Sequence, residues 1–125
     1  MSKISVCIDV LEMQKAIQFY TKALECELVM EGEEYTELSA DGLKMYLIER
    51  AAGTNPLVTG EAVRSYDRHW TPIHLDFAVS NFEQCLASVI ELGGEKEGEE
   101  SGDWGSAAFC ADPFGNGFCV MQYKS

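Results

Sequence analysis

Ile4-Ser5-Val6-Cys7-Ile8-Asp9-Val10 and Ile73-His74-Leu75-Asp76-Phe77-Ala78-Val79 match one another position for position. Both alternate without a break. Ile4, Val6, Ile8 and Val10 fall on one side, as do Ile73, Leu75, Phe77 and Val79. Ser5, Cys7 and Asp9, like His74, Asp76 and Ala78, fall on the other. A period of two marks a β-strand with one covered face and an opposite face of different character.

The segment after each strand repeats as well. Met13, Ile17, Tyr20 and Leu24, backed by Ala16 and Phe19, recur at helical spacing after the first. Phe82, Leu86, Val89 and Ile90 do so after the second, where Ser80-Asn81-Phe82-Glu83 reads as a capping box and Gly93-Gly94 as a helix end. Three short strands then come in each half: 27–30, 35–39 and 43–48, against 95–98, 106–111 and 118–123. Asp41-Gly42 and Asp112-Pro113-Phe114-Gly115-Asn116-Gly117 supply the turns before the last of them. The expected fold is therefore α+β, a single domain made of two βαβββ modules at about 1–52 and 72–125. A Gly-, Thr-, Asn- and Pro-containing connector at about 53–71 is long enough to fold over an opening. Each module alone would leave an apolar face uncovered, so the two are expected to pair.

The chain has 125 residues, enough for one core without disulfides. Five cysteines, Cys7, Cys26, Cys85, Cys110 and Cys119, form no CxxC pair and read as free thiols. No apolar run approaches a membrane span, and Met1-Ser2-Lys3 runs straight into a strand without a signal-peptide pattern, so a cytoplasmic protein is expected. With 21 acidic against 9 basic residues the net charge is −12, which disfavours nucleic acid and anionic membrane as partners. No Walker A or dinucleotide glycine pattern is present, so no nucleotide cofactor is expected.

Ala111-Asp112-Pro113-Phe114-Gly115-Asn116-Gly117-Phe118-Cys119-Val120-Met121-Gln122 resembles the closing turn and strand of the vicinal oxygen chelate superfamily. That group includes glyoxalases, bleomycin-resistance proteins and extradiol dioxygenases. Phe19-Tyr20-Thr21-Lys22-Ala23-Leu24 resembles the helix after the family's first strand, and 73–79 the strand that opens its second module. The resemblance implies curved sheets around a shared small-molecule cleft with helices outside. In metal-dependent members, four ligands, usually His and Glu, hold a divalent ion that acts as a Lewis acid on vicinal oxygens.

Carried over residue by residue, the ligand positions fall on Ser5, His74 and Cys119, with Glu49 as the remaining carboxylate. Only His74 is of the family type at its own position. Alternation places Lys44, Tyr46 and Ile48 on the face of Cys119, so Glu49 reaches the cleft only through a bulge. A set of His74, Glu49 and Cys119 would suit zinc, with nickel, manganese or iron as the other candidates. His74 and Asp76 are the candidate catalytic pair, or a structural one. Ser5, Tyr46, His69, Trp70, Trp104 and Cys119 are candidate binding residues, and Arg68, His69 and Trp70 together suit an anionic or planar group.

The resemblance implies three alternative functions. One is a metal-dependent lyase or isomerase of unassigned substrate. Another is a metal-free ligand- or antibiotic-binding protein, whose acidic cleft would suit a cationic drug. The third is a dioxygenase, disfavoured because His69 and His74 are the only histidines. A homodimer is compatible with all three.

Overall fold

The computed structural model describes residues 2–57 and 60–124. Met1 of the N-terminal reading, Val58 and Thr59 of the connector and Ser125 lie outside the described residues. The order of elements is β1 (Ser5–Val10), α1 (Met13–Gln18) running on as a π-helical turn (Phe19–Ala23), β2 (Glu27–Met30), β3 (Tyr35–Ala40) and β4 (Leu43–Glu49). After the connector come β5 (Leu75–Ala78), α2 (Phe82–Glu91), β6 (Glu95–Gly102), β7 (Gly105–Ala111) and β8 (Gly117–Tyr123).

The two halves form separate four-stranded sheets of equivalent order, β1-β4-β3-β2 and β5-β8-β7-β6. In each, the first strand lies parallel to the last and the other pairs are antiparallel. The repeat extends to a defect. The register shifts after Leu28 in β2 and after Lys96 in β6, in both cases at the second paired residue of the strand.

Alternation decides which side chains meet the helices. Val10, Leu38, Met45 and Leu47 from the first sheet, and Phe77, Phe118 and Val120 from the second, are buried with Met13, Ile17, Phe19, Tyr20, Leu24, Phe82, Leu86 and Val89 in one continuous core. Each such fully buried side chain contributes about 1.5–3 kcal/mol. Phe19 packs edge-on to Phe118 at 5.9 Å and Tyr20 tilts against Phe77 at 6.3 Å, so the first helix bridges both sheets. The Tyr20 hydroxyl donates to Asp112 at 2.6 Å, across 92 residues of sequence.

Several expectations are corrected. Ile4 and Ile73 are 76% and 83% exposed and lie ahead of strands that begin at Ser5 and Leu75. Ile90 is 58% exposed, and Cys85 takes the core position instead, one turn before Val89. The cap of α2 is Asn81, whose side chain accepts from the Gln84 N–H at 3.0 Å. Ser80 is free to donate to Glu25. Gly93, at φ 98°, ends the helix as expected, with its N–H on the Ile90 carbonyl and that of Gly94 on Val89.

Candidate functional site: a cleft at the seam of the two sheets

β1 and β5 are edge strands of their respective sheets, and both line one cleft of about 490 Å³. Ser5 to Asp9 form one wall, and Ile73, His74, Leu75 and Phe77 form the other. His69 and Thr71 arrive from the connector, Asn116 to Phe118 from the turn into β8, and Tyr20 from below. The cleft exists because each module ends its sheet with its first strand and the helices, not strand pairing, hold the modules together.

The rim is fastened from both sides. Arg64 donates to Asp9 at 2.9 Å, and the backbones of Gly53 and Arg64 close the base of the connector loop. Asn116 donates one amide hydrogen to the Asp9 carbonyl at 3.3 Å and another to Asp112 at 2.9 Å. The end of the connector is strapped to the second sheet. The Arg68 guanidinium forks onto the Glu97 carboxylate, and Trp70 donates its indole N–H to the same carboxylate at 2.8 Å. Arg68 also lies 4.6 Å over the Trp70 ring. These bonds hold the Glu97 carboxyl below its usual 4.5, against a smaller opposing effect of burial. Gly117 makes room for the strap, since a Cβ there would stand 2.9 Å from the Trp70 ring.

Beneath the strap, Trp70 meets His74 edge-on at 5.6 Å and Phe109 at 6.3 Å. His74 Nε2 lies 3.2 Å from Asp76 Oδ1, and Asp76 is the direct register partner of Cys119. One ligand atom from each of His74, Asp76 and Cys119 lies within 4.8 Å of the others. His74 and Asp76 are open to solvent, whereas Cys119 is buried with Ala107 and Met121, against Phe109. Burial, then the charge of Asp76 and its acceptance of the S–H, push the Cys119 thiol up to about 11. The thiol is therefore protonated at neutral pH, a hydrogen-bond donor rather than a nucleophile.

The structure sorts the expected residues. Ser5, His69 and His74 line the cleft, and His74, Asp76 and Cys119 meet. Asp76 opens onto an adjoining hollow of about 360 Å³. Glu49 does not join them. β1 and β4 pair without a register shift, so Glu49 shares the helix side with Met45 and Leu47 and accepts from the Met13 N–H at 2.9 Å. Tyr46 packs on Tyr35 at 6.3 Å, on the face of Cys7 but outside the cleft lining. Trp104 sits in the β6–β7 turn, where Gly102 accommodates its ring, also away from the cleft. Arg68 is not available to an anion, because Glu97 already holds it. Thr71 and Asn116 line the cleft without any signal of that role in the sequence pattern. Asn116 lies inside the Asp112–Gly117 turn, where turn chemistry alone accounts for it.

Fold and site together define a protein of paired βαβββ modules with a cleft at their seam. Residues 5–121 match the glyoxalase-like domain family, and the chain belongs to that family, within the vicinal oxygen chelate superfamily. Among solved structures, it is similar to the fosfomycin resistance protein FosX from Listeria monocytogenes, with TM-score 0.72, 14% identity and coverage of 99% of this chain and 94% of that one. A glyoxalase-related enzyme from Fulvimarina pelagi gives TM-score 0.73 at 12% identity, over 98% of this chain and 88% of its own. A glyoxalase/bleomycin resistance protein from Albidiferax ferrireducens T118 gives 0.67 at 19%, over 96% and 97%. No curated protein matches the chain.

Proposed function

We propose that this chain binds a small molecule in the seam cleft, with His74, held by Asp76, as the group that exchanges a proton or hydrogen bond with it. The observation that carries this is the convergence of both modules on one cleft of about 490 Å³, a size suited to a small ligand. The described lining contains no Lys or Arg, which speaks against a phosphonate such as fosfomycin. Binding by shape, aromatic contact and a few polar groups is the first reading.

A second reading, a divalent-metal-dependent lyase or isomerase, is favoured by one observation. His74, Asp76 and Cys119 offer nitrogen, oxygen and sulfur donors within 4.8 Å, a set that fits zinc in kind. All three come from the second module, and Ser5 offers only a neutral hydroxyl from the first. A bound ion would supply Lewis-acid polarisation of a ligand oxygen. His74, Asp76 and Cys119 would hold it, and Trp70 would keep water from one side of the His74 ring.

Elemental analysis of untagged protein and of His74→Ala, followed by a ligand screen after chelator dialysis, separates the two. Near-stoichiometric zinc, nickel, manganese or iron, lost in the variant, supports the second reading. Ligand binding that survives chelation supports the first. Failure of both metal and ligand to bind refutes both.

A further inference from the structure

The end of the connector lies across the second sheet, and Trp70 spans that sheet from side to side. The ring meets His74, just ahead of β5, edge-on at 5.6 Å and Phe109 of β7 at 6.3 Å. It stands over Gly117 of β8, where a Cβ would come within 2.9 Å, and its N–H donates to Glu97 of β6 at 2.8 Å. Glu97 is the extra residue of a β-bulge. The β6–β7 register passes from Lys96 to Gly98 and leaves Glu97 unopposed on β7. At the equivalent bulge of the first sheet the residue is Val29, 55% exposed, whose side chain can accept nothing.

Few ties hold this cover. From Asp67 to His74 no residue is buried. Upstream, the Tyr66 hydroxyl donates to the Arg50 carbonyl at 2.7 Å, and its ring packs on Phe114 at 6.3 Å. Gly115 approaches so closely there that a Cβ would stand 2.6 Å from the Tyr66 carbonyl. Downstream, β5 begins at Leu75. Between these fixed points, Glu97 alone accepts from Arg68 Nε, Arg68 Nη2 and the Trp70 indole. The other ties to the second module among the described residues are an Arg68 donation to the Gly115 carbonyl at 3.3 Å and a His69–Asn116 bridge. A segment without buried side chains, anchored at both ends and fastened by one carboxylate, opens at lower cost than the sheet beneath it. Cys119 is the position after Gly117 on the same face of β8, between Asp76 on β5 and Phe109 on β7. It is 3% exposed although Asp76 is open to solvent, and Trp70 packs on the Phe109 side.

We propose that 67–72 is an autoinhibitory strap: Glu97 latches it shut with Trp70 seated on the second sheet, and an ion or ligand gains all three of His74, Asp76 and Cys119 only after the latch lets go. This rests on the reading of His74 as the group that meets the ligand, and it adds what controls access to that group. An incoming molecule competes with the protein's own indole, so its apparent affinity falls in proportion to the fraction of molecules that are open. With one molecule in ten open, the loss is about tenfold.

The test follows labelling of Cys119 by iodoacetamide in the full chain carrying Cys7→Ser, with the modified residues located by peptide mass. Glu97→Gln should speed labelling of Cys119 about tenfold or more, and Trp70→Gly at least as much. Trp70→Phe, which keeps a ring and loses the indole N–H, should fall between the parent and Trp70→Gly. Cys26 and Cys85, in the main core, report on the fold as a whole. Unchanged labelling in Glu97→Gln overturns the latch, and unchanged labelling in Trp70→Gly overturns the cover. A rise at Cys26 and Cys85 equal to that at Cys119 means general loosening and overturns both. Zinc uptake by the same proteins separates this proposal from the functional reading. Faster labelling of Cys119 with no zinc bound by any of them supports the strap and removes the metal reading alone. Zinc taken up equally fast with and without the latch overturns the control assigned to the strap.

Discussion

Replacing Asp112 by alanine takes one carboxylate away from four donors. The Tyr20 hydroxyl at 2.6 Å and Asn116 Nδ2 at 2.9 Å donate to Oδ2, while the N–H groups of Phe114 at 2.8 Å and Asn116 at 3.0 Å donate to Oδ1. Asp112 is 3% exposed and Tyr20 2%, so water cannot replace the carboxylate at the hydroxyl. Two of the four donors, on Tyr20 and Phe114, lie in buried surroundings, and each costs about 1–3 kcal/mol when unmet. Removing the charge recovers some desolvation, and the expected loss is about 3–5 kcal/mol. For a domain of this size that corresponds to a fall in Tm of roughly 10–20 °C. Tyr20→Phe keeps the ring in the core and removes one charge-assisted bond, for about 1.5–3 kcal/mol. Urea unfolding of both variants and their double mutant measures the coupling directly. A loss below about 1 kcal/mol for Asp112→Ala, or additive single effects, would refute the view that this bond ties the two modules.

The same structure sets other expected outcomes. Cys7 is exposed, whereas burial pushes Cys26, Cys85 and Cys119 up to about 11 and Cys110 to about 12, so a disulfide reagent at pH 8 should titrate one thiol quickly in the native protein and five after unfolding. Glu97→Gln should loosen the strap and expose Trp70 to acrylamide quenching, measured in a Trp104→Phe background. Because Arg68 holds the folded Glu97 pKa below 4.5, the strap's contribution should be complete above that value and fade as pH falls through the folded one. Val89→Ala, at a site with no exposure, should cost about 1–3 kcal/mol, whereas Ile90→Lys should stay within about 0.5. A larger loss at Ile90 would mean that another surface covers it.

The fold was legible because its signals are local and repeated. Strand alternation at Val6-Ile8-Val10 and Leu75-Phe77, and helical spacing at Met13-Ile17-Tyr20-Leu24, each come from backbone geometry over a few residues. The element ends were less so. Whether Ile4, Ile73 or Ile90 is covered depends on what else reaches it, which no local period encodes. Alternation alone turns Glu49 away from the cleft, and the unshifted β1–β4 ladder leaves nothing to turn that side chain back.

The site divides along the same line. The chain's own order of residues determined that His74 and Asp76 share a face, because side chains two residues apart in an extended segment point the same way, and that the second module carries Cys119 at its closing strand. Only the tertiary structure decided that Cys119 is Asp76's neighbour, that Glu97 neutralises the charge of Arg68, and that Asn116, Thr71 and both histidines line one cleft. Those facts depend on contacts between residues distant in sequence. Such contacts are selected by how the two sheets and their helices pack, and a side chain's remaining hydrogen-bonding capacity is known only once every partner has been placed.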